Sequence, residues 1–256
     1  MSAKPRAWTE HTLSKKTAYH RPPVYREHTG SKRRRSKRNR LLQLHYLSLS
    51  GLHKEDDFKI YSRSEVIEMW HELDVNNSWL NVVGAPGTGK SMVAWAWACH
   101  NSLSGTASSR KILWVHLNKS RNMIQLCYLV KSKIHTSQHG SNQFHDAIHM
   151  MADAEVLIMD GVTKTEYNSF SASATSWMCE KENRKVVAAS VVIAKQHLEL
   201  GDVKEWQMSS WTWKDYVDAC NYSEFYKQIV KFLPLTDTTK EDKLAQKFFM
   251  AGSSAR

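Results

Sequence analysis

The stretch of sequence that decides the fold comprises Gly84, Ala85, Pro86, Gly87, Thr88, Gly89, Lys90 and Ser91. It matches the pattern GxxxxGK followed by Ser or Thr at every defined position. Glycines with this spacing let the backbone curl until consecutive N–H groups point inward, toward the oxygens of a bound phosphate. The stretch therefore predicts a phosphate-binding loop between a strand and the N-terminus of a helix.

The last two residues of this loop have side chains with defined chemistry. Lys90 is expected to reach the β- and γ-phosphates of a nucleoside triphosphate, and the Ser91 hydroxyl is expected to bind Mg²⁺. The flanking sequence agrees, because Trp79–Val83 predicts an apolar strand before the loop and Ser91–Cys99 predicts an apolar helix after it. We therefore expect the loop to bind a nucleoside triphosphate with Mg²⁺.

A carboxylate at the end of a buried strand is expected to complete the site. Residues 156–159 read Val-Leu-Ile-Met, and Asp160 follows them, about seventy residues after the loop. Its expected role is to hold Mg²⁺, directly or through a water. The alternative is a buried strand that simply ends in a turn at Asp160-Gly161.

Hydrolysis is less well supported than binding. Many ATPases of this type place a Glu directly after the Asp to polarise the attacking water, but Gly161 stands there. Glu155 lies at the wrong end of the strand, and Glu166 would serve only if its loop folded back. Guanine specificity has no support, because Arg121 stands where a base-reading Asp is needed. ATP is therefore the expected nucleotide.

Ser190 is the third candidate catalytic residue, beside Lys90 and Asp160. It ends a predicted fourth strand, which in the strand order common to this class lies beside the first strand. Ser190 would then contact the γ-phosphate or the attacking water. A serine that only satisfies local backbone groups is the competing interpretation.

Apolar runs alternate with helical patterns from residue 78 onward, which is typical of βαβ units and a parallel sheet. We therefore predict an α/β P-loop NTPase fold, a parallel sheet flanked by helices. Beyond the strand and helix around the loop, the predicted strands are Lys111–Leu117, Glu155–Asp160, Val186–Ser190 and Val203–Met208. The predicted helices are Met123–Lys131, Asn142–Met151 and Lys214–Phe232. A further short helix is expected to begin with Ser64 near its cap.

Two pairs of histidines have a spacing that occurs in zinc sites. His135 and His139, and likewise His145 and His149, are four residues apart, as in the metal-binding pattern HExxH. No third ligand is placed for either pair, and the Glu of that pattern is missing. We therefore predict no zinc site, and Mg²⁺ at Ser91 and Asp160 is the metal expected.

The net positive charge is confined to the N-terminal part of the chain. Residues 1–40 hold 13 Lys and Arg against 2 Asp and Glu, which accounts for the whole net charge of +11. We predict three parts: a disordered basic arm at 1–40, a P-loop NTPase domain at 41–235 and a C-terminal tail at 236–256. Within that domain, residues 41–52 are apolar enough to dock on its core.

The order of these motifs resembles one known family. The loop at 84–91, Leu-Ile-Met-Asp-Gly at 157–161 and Val-Val-Ala-Ala-Ser at 186–190 precede Met-Ser-Ser-Trp-Thr-Trp-Lys-Asp-Tyr at 208–216. This arrangement is similar to the P-loop NTPase module of Crinkler-type effectors of oomycetes and fungi, which are related to the retrotransposon hot spot proteins of trypanosomes. The resemblance covers about residues 60–235. It implies an AAA-like or STAND-like ATPase core that acts in a host cell nucleus, with protein partners there.

Three functions remain open at this point. The first is an ATP·Mg²⁺-binding protein with slow ATPase activity, and the second is a nucleotide-gated interaction module that never hydrolyses. The third is a nucleic-acid-binding protein that acts through Lys32–Arg40, where seven of nine residues are basic. The same run is typical of a nuclear import signal, so we expect a nuclear location. A secretory signal and a membrane-spanning apolar run are not expected.

We predict that residues 1–40 confer nuclear accumulation and any affinity for nucleic acid. Each phosphate that is neutralised releases condensed counterions, so binding should fall steeply with salt and ignore base sequence. With about six contacts, raising salt from roughly 50 to 200 mM should weaken DNA binding about a thousandfold. The measurement is a DNA titration at several salt concentrations. Deletion of residues 1–40 should abolish this binding and spare ATP binding, whereas a deleted chain that still enters nuclei would contradict the prediction.

Overall fold

The fold is stated for the residues that the computed structural model describes. These are residues 8–12, 41–44, 46–52, 58–103, 109–118, 122–162, 164–189, 203–230 and 239–251. The strands are β1 (Thr9–Thr12), β2 (Leu41–Leu44), β3 (Phe58–Tyr61), β4 (Trp79–Val83), β5 (Ile112–Asn118), β6 (Met123–Val130), β7 (Lys133–Gly140), β8 (Val156–Asp160), β9 (Lys185–Ala189) and β10 (Val203–Gln207). The helices are α1 (Leu47–Ser50), α2 (Ser64–Val75), α3 (Lys90–Leu103), α4 (Phe144–His149), α5 (Lys164–Cys179), α6 (Trp213–Cys220), α7 (Ser223–Val230) and α8 (Lys240–Ala251).

A mixed sheet forms the centre of the described fold, in the strand order β1-β7-β6-β5-β8-β9-β4-β10. From β5 to β10 every neighbouring pair runs parallel, so the carboxyl ends of these five strands share one edge. The predicted α/β class with a parallel sheet is present in this part. The predicted position of β9 beside β4 is confirmed as well.

The other half of the sheet is antiparallel, and there the predicted helix at Met123–Lys131 is wrong. Residues Met123–Val130 form β6, which pairs antiparallel with both β5 and β7. The hairpin turns at Lys131 and Ser132, whose φ angles are 43° and 65°. Two positive φ angles are typical of the tight turns that match the twist of a hairpin, and they usually occur at Asn-Gly. The dipeptide Lys131-Ser132 is not a sequence that indicates such a turn. Strand β7 was therefore not predicted.

Each face of the sheet has its own apolar core. Strand β5 shows the alternation, because Ile112 and Trp114 face α3, whereas Leu113 and Val115 face α4 and α5. Trp114 packs edge-on against Trp95 of α3 with ring centroids 5.2 Å apart. The two faces together sandwich the sheet between helices, which holds the carboxyl ends of the parallel strands in a fixed relation.

The C-terminal region differs from the prediction in two respects. The single helix expected at Lys214–Phe232 is two helices, α6 and α7, with a break at Asn221 and Tyr222. The expected tail at 236–256 contains α8, whose Leu244 is buried in an aromatic cluster formed with residues of α6 and α7. A capping box begins α6, since Thr212 and Asp215 each accept a hydrogen bond from the other's backbone N–H.

The N-terminal region also contains structure that was not predicted. Thr9–Thr12 form β1 at the edge of the sheet, so the expected disordered arm at 1–40 includes a strand paired with β7. The basic run Lys32–Arg40 lies outside the described residues. Deletion of residues 1–40 removes β1 as well as this basic run. Substitution of the basic run alone therefore tests its role in DNA binding and nuclear accumulation without removing a strand of the sheet. Residues 41–52 dock as expected, with Leu44 and Leu47 buried.

Helix α2 begins at Ser64, but its cap is Arg63. The Ser64 hydroxyl donates to Glu65 Oε2 at 3.1 Å, and the Arg63 side chain makes no cap hydrogen bond. Across the described residues, no helix has the length and apolarity needed to cross a membrane.

A buried lysine joins β9 to the end of α2. The Lys185 ammonium donates to the carbonyl oxygen of Leu73 and to that of Asn76 at 3.5 Å, and it lies 4.7 Å from the centre of the Trp97 ring. Cations at a helix C-terminus are stabilised by its unpaired carbonyls. Burial opposes the charge and lowers the pKa of Lys185 to about 7.

We predict that Lys185 makes the protein more stable as the pH rises above about 7. The unfolded lysine keeps its proton to about pH 10.4, whereas the folded one releases it near 7, so the unfolded state binds more protons. The free energy of unfolding should therefore rise by about 2 kcal/mol between roughly pH 7 and pH 9. Chemical denaturation of wild type and Lys185→Met at both values isolates this contribution. A constant difference between the two proteins would contradict it.

Candidate nucleotide-binding site

The predicted phosphate-binding loop lies where the motif places it, between β4 and α3. Residues 84–89 connect the two elements, and α3 begins at Lys90. Gly84 has a φ of 142°, and a Cβ at this position would overlap the backbone carbonyl of Met208, in the segment after β10. Only glycine therefore allows this close approach, which fixes the loop against the end of the parallel sheet. Ala85 and Pro86 are exposed at the tip of the loop.

Lys90 is buried at the centre of the loop. Its Nζ donates to the carbonyl oxygens of Gly84 at 2.8 Å and Ala85 at 2.9 Å, and to the hydroxyl of Thr88 at 3.4 Å. The loop thus surrounds its own lysine and holds the ammonium beside the first turn of α3. The unpaired N–H groups of that turn and the helix dipole favour an anion at the same place.

Ser91 and Asp160 are brought into contact across the sheet. The Ser91 hydroxyl donates to Asp160 Oδ1 at 2.5 Å, although the two residues are 69 positions apart. Both lie at the carboxyl edge of the parallel strands, Ser91 in the first turn of α3 and Asp160 at the end of β8. A hydroxyl and a carboxylate are hard oxygen donors, the kind that Mg²⁺ prefers, so this pair fits the expected ion.

His116 is a site residue that the sequence analysis missed. It lies on β5 opposite Asp160, and its Nδ1 is 2.7 Å from Asp160 Oδ2. Asp160 is only 3% exposed, so each carboxylate oxygen has a hydrogen-bonding partner within the protein. The motif could not reveal this residue, because the neighbourhood of β5 and β8 follows from the fold and not from a spacing in the sequence.

The position after Asp160 cannot carry a carboxylate side chain without strain. Gly161 has a φ of 75°, and a Cβ there would lie 2.9 Å from the carbonyl oxygen of Leu117. The missing Glu at this position is therefore matched by a backbone that any side chain would strain. Glu155 lies before β8, at the end opposite Asp160, and Glu166 lies in the first turn of α5.

Arg63 is a second residue near the loop that the sequence did not reveal. Its buried guanidinium donates to the carbonyl oxygens of Thr88 at 3.4 Å, Ser209 at 3.0 Å and Ser210 at 3.2 Å. It also stacks over the ring of Trp211 at 4.9 Å. Burial lowers the pKa of Arg63, and two nearby carboxylates oppose that shift. Arg63 thus connects the loop to the segment that follows β10.

The remaining residues considered in the sequence analysis are Ser190 and the two histidine pairs. Ser190 lies outside the described residues, although β9, which precedes it, is adjacent to β4. The histidine pairs do not gather metal ligands, since the part of the chain that the structure describes holds no cluster of three or more His, Cys, Asp or Glu suited to a metal. His135 and His139 lie on strand β7, and His149 pairs with Glu180 at 2.9 Å.

Comparison with known proteins reveals no family. No protein-family model matches the chain, and no curated protein matches it. A solved structure that concerns katanin self-assembly is 14% identical, with 71% of this chain and 56% of that chain covered and a TM-score of 0.38. PCH-2 of C. elegans is also 14% identical, with 77% and 55% covered and a TM-score of 0.41. The chain spans just over half the length of these structures, and likeness at this level carries no argument about function.

We predict that Gly161→Ala destabilises the protein by about 1–3 kcal/mol. The added Cβ meets the Leu117 carbonyl, and alanine is unfavourable at this φ. Chemical denaturation measures the change, and Ser176→Ala, on an exposed position of α5, is the control with an expected effect below about 0.5 kcal/mol. A Gly161→Ala protein as stable as wild type would mean that the backbone adapts and that a carboxylate can be accepted here.

Proposed function

We propose that this chain binds ATP and Mg²⁺ at residues 84–91, on a P-loop NTPase core of the AAA-like type. The observation that carries the proposal is the contact between Ser91 and Asp160 beside the buried Lys90. A glycine-rich turn without function has no need of a carboxylate delivered from a distant strand. The loop and the strand that ends in Asp160 are about seventy residues apart in the sequence, and they meet at the edge of the sheet where α/β proteins bind ligands.

Each residue of the site has a defined part in this proposal. The loop N–H groups and the N-terminus of α3 bind the phosphates, and Lys90 neutralises charge on the β- and γ-phosphates. Ser91 and Asp160 hold Mg²⁺, which supplies charge neutralisation and orientation of the phosphates when bound. Arg63 keeps the loop fixed against residues 208–211, so that the phosphate-binding groups are organised before the nucleotide arrives.

We propose that the nucleotide is bound for much longer than it takes a typical ATPase to hydrolyse it. What supports slow turnover is Gly161, since glycine stands at the position that carries the water-polarising Glu in many ATPases, and a side chain there would be strained. Such a protein acts as a nucleotide-gated module. Single-turnover hydrolysis of ATP by the purified chain tests this directly, and turnover at the rate of a typical ATPase would contradict it.

We further propose that the chain is a Crinkler-like module that acts in the nucleus of a host cell. The order of its motifs from the loop to Trp211, Trp213 and Tyr216 supports the family, and the basic run Lys32–Arg40 supports the location. Nucleic-acid binding through that run is the second candidate function, favoured by a net charge of +11 confined to residues 1–40.

We predict that Lys90→Ala weakens ATP·Mg²⁺ binding about 10- to 100-fold while the fold stays intact. The reason is that hydrogen bonds to charged groups contribute roughly 1.5–3 kcal/mol, and the variant removes the ammonium from the centre of the loop. Isothermal titration calorimetry measures the affinity, and circular dichroism checks the fold.

The matched control for this experiment is Lys111→Ala. Lys111 is a partly exposed lysine just before β5, paired with Asp153 at the opposite end of the strand from His116. Its replacement removes one positive charge without touching the loop, so ATP affinity should stay within about twofold. Equal affinities of wild type and folded Lys90→Ala would overturn the proposed function.

A further inference from the structure

The two oxygens of the Asp160 carboxylate have different partners. Oδ1 accepts from Ser91, in the loop, and Oδ2 faces Nδ1 of His116, on the neighbouring strand. A carboxylate only accepts hydrogen bonds, so Nδ1 is the nitrogen that carries the proton. The parallel register of β5 and β8 places His116 directly opposite Asp160, so both side chains leave the sheet on the same face.

Two glycines, Gly51 and Gly161, lie close to the His116 ring. A Cβ at Gly51 would lie 2.8 Å from Cδ2 of the ring, and one at Gly161 would lie 3.7 Å from Cε1. Gly51 follows α1, which is attached to the sheet by a hydrogen bond from Trp114 Nε1 to the Ser50 carbonyl at 3.0 Å. The docked segment at 46–52 thus forms one wall of the space that the ring occupies.

We propose that His116 is the positioning residue for Asp160. It holds Oδ2, so that Oδ1 stays directed at Ser91 and at the Mg²⁺ that accompanies ATP. This inference rests on the proposed function and adds a third residue to the metal-binding unit. Partners that orient a metal-binding carboxylate from outside are typically worth 10- to 100-fold in metal affinity.

A purely structural histidine would satisfy a buried carboxylate without affecting Mg²⁺. The two roles differ in one quantity, the ratio of the affinity for ATP with excess Mg²⁺ to that for ATP with EDTA. Positioning of Asp160 contributes to this ratio, because only the metal-loaded nucleotide uses the carboxylate. A general loss of stability lowers both affinities together and leaves the ratio unchanged.

The test measures this ratio by calorimetry in His116→Leu and His116→Asn. We expect His116→Leu to lower the ratio about tenfold or more, and Mg²⁺-free affinity to change less than about threefold. His116→Asn offers an amide donor at a reach similar to that of Nδ1 and should restore most of the ratio. Asp160→Asn marks the ratio that remains when the carboxylate itself is lost.

Two results would overturn the inference. One is a folded His116→Leu protein whose affinity ratio equals that of wild type. The other is a His116→Asn protein whose affinity ratio falls as far as that of His116→Leu. If His116→Leu does not fold, His116→Gln, whose donor has a different reach, takes its place and is judged in the same way. Failure of the proposed function looks different, because wild type itself would then show no ATP binding that depends on Lys90.

Discussion

The hydrogen bond between Ser91 and Asp160 joins the two halves of the site, and the rest of the structure is arranged so that it can form. Ser91 lies in the helix after β4 and Asp160 at the end of β8, with β9 between the two strands. A parallel sheet is what brings both to the same edge, because all of its strands end on one side. The apolar cores on the two faces of the sheet fix the positions of these strand ends relative to one another.

The charged groups of the site are buried, and each of them is hydrogen-bonded within the protein. Lys90 and Arg63 are both nearly inaccessible, and backbone carbonyls accept hydrogen bonds from each of them. Asp160 is held by a hydroxyl and an imidazole. Buried charges are costly unless they are hydrogen-bonded, so these partners stabilise the fold and also fix the direction of each charged group. Organisation before the ligand arrives is what a phosphate- and metal-binding site requires.

Motifs with local chemistry were predictable from the sequence. The strand Trp79–Val83 was predicted at its observed bounds, because it is an apolar run next to a glycine-rich loop, and β8 and β10 were predicted within one residue. Features that depend on tertiary pairing were not predictable. The β6–β7 hairpin turns at Lys-Ser, which does not resemble a turn sequence, and alternation in a run as apolar as Met123–Val130 is hard to distinguish from a helix. His116 and Arg63 belong to the site only because of the strands and loops that surround them.

The most direct test of the central claim is a crystal structure of the chain with Mg²⁺ and a non-hydrolysable ATP analogue. We expect the triphosphate in the loop at 84–91, with Lys90 Nζ at the β- and γ-phosphates. We also expect Mg²⁺ at about 2.1 Å from Ser91 Oγ, with Asp160 bound to the ion or to one of its waters. A nucleotide bound elsewhere, or a metal that contacts neither Ser91 nor Asp160, would contradict the proposed site.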